Sequence, residues 1–170
     1  MKKLLTTLAI AASAVTLAQA ANAGDFDTTV PMAEKGAATY YVPGKIDGVG
    51  KVELMVDTGS GYLTINEEAL ASLTKEKRAR YVRDLRGILA NGTQLVVPVY
   101  SISAINIGGN CVLRDVEAAV FPGKTRYILG LSALEKAAPF IFSTNPAKLV
   151  LSNCTDKTEK VARGDAISQM

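Results

Sequence analysis

The sequence predicts an all-β domain with one or two short helices, and three observations carry that prediction. Apolar and polar residues alternate with a period of two through most of the chain, as in KVELMVD (51–57), which is the pattern of a strand with one buried face. Turn signals, among them DGVG, NG, GGN and TNP, separate the alternating runs. The one long stretch with helix-start chemistry is Asn66 followed by Glu67 and Glu68.

The 170 residues are 48% hydrophobic and 21% charged, so the chain can bury one globular core and is neither disordered nor fibrous. Its first segment is read separately. Lys2 and Lys3 precede the apolar run LLTTLAIAASAVTLA, and small residues follow it. That order is expected of a secretory signal, residues 1–23, with cleavage after Ala23 and a second small-x-small site at Ala18 and Ala20. A retained anchor is the alternative, but the run is short and rich in Ala and Thr for a membrane span. No stable membrane insertion is therefore expected after signal removal, and the product is exported, periplasmic or secreted. Loss of the two lysines lowers the formal charge from +3 to +1, without the basic balance that marks a nucleic-acid partner. Export also gives a meaning to the even cysteine count. Cys111 and Cys154 are expected to pair, the alternative being two buried free thiols.

In chain order, ATYYVPGKI and GKVELMVD form a hairpin through DGVG, with Pro43 at a bend or an edge. Asn66 caps a helix that runs to about Arg86, with Leu70, Leu73, Tyr81 and Leu85 at helical spacings. Its other face carries Lys75, Lys77, Arg78, Arg80, Arg83 and Arg86, which reads as a solvated charged surface. A hairpin through NG at Asn91 and Gly92 leads into a long alternating strand, and CVLRDVEAAVF follows after GGN. RYILG is a short buried strand, LSALEKA one or two helical turns ended by Pro139, and PFIFS and AKLVLSNC a closing pair. The domain spans 24–154, and the polar tail 155–170 shows no sustained period.

Absences narrow the chemistry. With no histidine, one chain can build neither a Ser-His-Asp triad, nor a Cys-His pair, nor a His-based zinc site. Two cysteines cannot form a four-thiolate centre. FPGKT ends like a phosphate-binding loop but has Ala118 where the first glycine belongs, and SLTK (72–75) lacks the companion elements of a serine acyl-transfer site. No metal and no cofactor is expected.

What remains is Asp57. Alternation sets Val52, Leu54 and Val56 on one strand face and Glu53, Met55 and Asp57 on the other, so a carboxylate stands where the strand ends. Gly59 lets the chain turn back, and the Thr58 and Ser60 hydroxyls can support a carboxylate or a neighbouring chain. A bare Asp-Thr-Gly also fits an Asx turn, with Asp57 bonded to its own backbone.

MVDTGS resembles the active-site loop of the aspartic proteases, and YILGLSAL (127–134) resembles the second signature of their retroviral-type, or retropepsin-like, members. Between them LANGTQL resembles the flap hairpin, so three landmarks fall in order from about residue 37 to 151. The match is nearest to exported bacterial members, with Gly61 as a departure. The resemblance implies a closed barrel or sandwich with one lobe per chain, and an aspartic endopeptidase acting on peptide or protein substrates. Asp57 would be catalytic, Thr58, Gly59 and Ser60 would support its loop, and Asn91 and Gly92 would form the flap. Ile128, Leu129 and Gly130 would form the second signature, although Gly130 is also readable as an ordinary helix-entry glycine. The chain holds a single Asp-Thr-Gly, so the acid pair requires a homodimer. Two other classes are weighed: the same fold without catalysis, as a periplasmic binding or adaptor module, and a plain structural β-sandwich, which gives no role to DTGS and ILG.

Overall fold

The computed structural model describes residues 26, 28–88, 92 and 94–154. The expected signal, the expected tail and Asn91 lie outside the described residues. The fold is mostly β, as the alternation predicts. Strands β1 (Thr28–Pro31), β2 (Ala33–Glu34), β3 (Tyr40–Ile46), β4 (Gly50–Val56) and β5 (Leu63–Asn66) precede helix α1 (Glu67–Lys75). Then come β6 (Ala79–Ile88), β7 (Gln94–Ile107), β8 (Cys111–Phe121), β9 (Ile128–Leu129), helix α2 (Leu131–Leu134), a 3-10 turn (Glu135–Ala137), β10 (Phe140–Thr144) and β11 (Ala147–Leu151).

The main sheet has the order β2-β3-β4-β9-β5-β8-β7-β6, and a further pairing of β3 with β7 closes six of its strands into a barrel. Closure leaves few free edges. Pro43 sits where β3 passes from pairing with β2, at Tyr41, to pairing with β7, at Gly44. A proline donates no hydrogen bond, so this change of partner is a place where the ladder tolerates it. The barrel is filled by Ile46, Leu54, Leu63, Ile105, Leu113 and Leu129, all within 2% of full burial. A second sheet, β1-β11-β10, packs its Leu149 and Leu151 into the same core. Cys111, at the start of β8, is disulfide-bonded to Cys154, just beyond β11, with Cα atoms 4.7 Å apart.

The expected long helix is corrected. It begins as predicted, with the Asn66 side chain accepting from the Ala69 N–H at 2.9 Å, but it ends at Lys75. Lys77 adopts a left-handed conformation (φ +56°) and donates its N–H to the Thr74 carbonyl, while Arg78 N–H reaches Leu73 O at 2.8 Å. These two bonds are a Schellman stop built on a lysine instead of the usual glycine. Tyr81 and Leu85 therefore belong to β6, which pairs along its length with β7 in the hairpin that carries Gly92. The basic residues are divided between the end of α1 (Lys75), the turn after it (Lys77 and Arg78) and β6 (Arg80, Arg83 and Arg86): Arg78 reaches back to Asp47 of the β3–β4 turn at 2.8 Å, and Arg83 faces Glu117.

Candidate active site

Asp57 is positioned by the strand crossing beneath it. The two-residue strand β9 lies between β4 and β5, parallel to β4 with Met55 opposite Ile128 and Val56 opposite Leu129. The loop 57–62 that joins β4 to β5 must therefore pass over the end of β9. Asp57 N–H donates to Leu129 O at 3.2 Å, and the Ser60 and Gly61 carbonyls accept from Leu131 and Ser132 N–H at 2.8 and 3.0 Å. The loop is thus bonded to the start of α2, and its free backbone groups are satisfied there. A Cβ at Gly130 would lie 2.2 Å from Tyr62 O and 2.7 Å from Ser60 O, so only glycine lets the loop sit this close.

Within the loop, Asp57 Oδ1 accepts from Gly59 N–H at 2.9 Å, and Ser60 N–H donates to Asp57 O at 3.2 Å. The Asx turn read from the sequence is present, and it leaves the carboxylate half-buried at the mouth of a cavity. Thr58 is exposed at the tip. In the single chain the Ser60 hydroxyl donates to Tyr62 O at 3.0 Å instead of to Asp57. The cavity, about 530 Å³, is lined by Asp57, Tyr62, Leu85, Ala119, Phe121 and Ile128 among others. Its apolar wall continues into a small cluster separate from the main core, in which buried Val97, Val99 and Ala119 pack with Tyr62, Leu85 and Phe121. The cavity thus sets an apolar wall beside a carboxylate.

Of the residues singled out in the sequence, Asp57, Gly59, Ser60 and Ile128 meet at the cavity, with Leu129 and Gly130 directly behind the loop. Gly92 lies beyond β6, exposed and with φ +81°, where a hairpin tip requires a left-handed residue. Sequence reasoning missed Tyr62, Leu85 and Phe121 as lining residues. Leu85 falls at a helical spacing in the sequence, and nothing in the spacing marks Phe121. It also missed the pairing of Arg83 with Glu117. The Arg83 guanidinium holds the Glu117 carboxyl below the usual glutamate range, and Glu117 and the Tyr62 hydroxyl hold Arg83 above its own. A second cavity, about 480 Å³ and polar, shares Gly61 with the first and is lined by Asp115, Glu117, Ser132, Glu135 and Lys136. Among the described residues no three His, Cys, Asp or Glu side chains gather where a metal ion could be held. No helix among them is long and apolar enough to cross a membrane.

A closed barrel with an acid-bearing glycine loop wedged over an intervening strand defines the acid-protease class of fold. The model of the aspartyl protease family matches residues 42–133, and the chain belongs to that family. Among solved structures it is similar to a retropepsin-like aspartic protease from Rickettsia conorii, at 21% identity and a TM-score of 0.54, over 73% of this chain and 89% of that one. The fold is retropepsin-like. No curated protein matches the chain.

Proposed function

We propose that the protein is an exported aspartic endopeptidase whose catalytic centre forms from Asp57 of two identical chains. The observation that carries this reading is the Asp57 loop, held over β9 and Gly130 and opening onto a cavity of about 530 Å³ with an apolar wall. One chain supplies one such carboxylate. Two carboxylates brought together across a twofold axis cannot both ionise, so the pair holds one proton. The ionised member takes a proton from a water attacking the peptide carbonyl, and the protonated member polarises that carbonyl. In this reading Thr58, which is exposed at the loop tip, bonds across the axis. Ser60 serves the outer oxygen of Asp57 only by turning its hydroxyl away from Tyr62 O. The hairpin of β6 and β7 closes over the groove, Gly92 giving its tip freedom to move. Export through removal of residues 1–23, to the periplasm or beyond, fits the Cys111–Cys154 disulfide, a bond that persists in oxidising compartments.

The test compares purified protein with its Asp57→Asn variant against a peptide library from acid to neutral pH, with sedimentation at several concentrations. Expected is cleavage by a dimer, reduced about a thousandfold or more in the variant. Cleavage unaffected by the substitution excludes the acid mechanism, cleavage by a monomer excludes the shared centre, and peptide binding without cleavage favours the silent binding module.

A further inference from the structure

Arg83 has no part in the acid chemistry, yet its side chain joins three elements around the cavity. It sits on β6, two residues before the cavity-lining Leu85. Strict alternation would put it on the same face as Tyr81, which is 51% exposed on the outside of the hairpin against Tyr100. It does not lie there. The β6–β7 register shifts between Tyr81, opposite Tyr100, and Arg83, opposite the fully buried Val99. The extra residue, Val82, makes a bulge, a device that re-aims a side chain. The bulge turns Arg83 to the inner face together with Leu85.

There the guanidinium forks onto Glu117 of β8, Nη1 donating to Oε1 at 3.0 Å and Nη2 to Oε2 at 2.6 Å. Nη2 also donates to the Tyr62 hydroxyl at 2.9 Å, and the guanidinium carbon lies 5.7 Å from the centre of the Tyr62 ring. Tyr62 ends the acid loop and forms one wall of the cavity. Its backbone is already fixed, since its carbonyl accepts from Ser60 and packs against Gly130. Its ring is fixed by Arg83.

We propose that Arg83 is a positioning residue for the peptide groove: by gripping Glu117 and the Tyr62 hydroxyl it holds the stem of the hairpin to the acid loop and sets the width of the pocket beside Asp57. The pocket then discriminates among apolar substrate side chains by size, because a fixed ring is a wall and a rotating ring is not. The discrimination rests on the reading of the groove as a peptide site; the mechanical tie does not.

The experiment therefore has two arms, applied to the wild type, Arg83→Met and Arg83→Lys. Amide hydrogen exchange reads the tie without any catalysis. Expected in Arg83→Met is faster exchange over residues 59–63 and 82–86, by about two- to fivefold, with β10 and β11 unchanged. Lysine can meet Glu117 but cannot fork to Tyr62, so Arg83→Lys falls between the two. The second arm measures kcat and KM for two peptides differing only in Leu or Ala at the cleaved bond. The Leu/Ala ratio of kcat/KM is expected to fall about two- to fivefold in Arg83→Met, through KM rather than kcat. A folded Arg83→Met protein with wild-type exchange and a wild-type ratio overturns the proposal, and so does altered exchange that leaves the ratio intact. If the wild type cleaves neither peptide, the protease reading fails while exchange still decides the tie: raised rates support it and unchanged rates overturn it. Should Arg83→Met not fold, Arg83→Lys gives the same two readouts.

Discussion

At the scale of single residues, Gly130 and Gly61 show how unequal this residue type can be. Gly130 has backbone oxygens where a methyl group would go, whereas Gly61 has nothing within 4 Å. Gly130→Ala is expected to cost about 3 kcal/mol or more, since the Ser60 carbonyl is bonded to the Leu131 N–H of α2 and the Tyr62 carbonyl to the Ser60 hydroxyl, and moving either breaks a bond of the loop. Gly61→Ala should stay within about 0.5 kcal/mol. Urea titration of both variants checks the contrast. From the sequence, Gly130 could be read as a helix-entry residue or as a close-approach residue, and it is both: it is the N-cap of α2 and it lies under the loop. Asp57 was similarly ambiguous. Its Asx turn and its exposure to the groove coexist because Oδ1 takes the Gly59 N–H, which leaves Oδ2 free of that bond.

At the scale of elements, strands were legible wherever alternation met a turn signal. The β3–β4 and β10–β11 hairpins and the long β7 and β8 fall where DGVG, TNP and GGN put them. The failure lies in residues 76–88. Leu70, Leu73, Tyr81 and Leu85 fit a helical period, and the stop signal was invisible because Lys77 does the work usually left to glycine. β6 is a strand because β7 lies alongside it, a non-local cause that no local window contains. The Arg83–Glu117 link was lost with it. That link has a pH signature of definite sign. Arg83 depresses the folded-state pKa of Glu117, so the carboxylate contributes stability above the ordinary glutamate range and loses that contribution as pH falls through the lower folded value. Both side chains are partly solvated, 45% and 35% exposed, so the effect is small. The melting temperature of Glu117→Gln is expected to lie about 1–3 °C below wild type at neutral pH, with the gap closing only below about pH 4. Thermal melts from pH 7 to pH 3 measure it.

At the scale of the whole molecule, the three-stranded sheet is held to the barrel by shared core residues and by one covalent link. Cys111 and Cys154 are 43 residues apart in sequence, and closing a loop of that length stabilises by about 4 kcal/mol in the chain-entropy account. Replacing both by Ala is expected to lower stability by up to about that amount, and the reduced wild type should behave like the double variant in chemical denaturation. One further consequence follows from the threading of β9 between β4 and β5. The strand that leads into Asp57 and the strand that supports its loop are separated in sequence by β5, α1, the hairpin and β8, so an N-terminal fragment that ends before β9 cannot assemble the acid loop. A polypeptide that stops short of β9 therefore lacks the support on which the Asp57 loop rests.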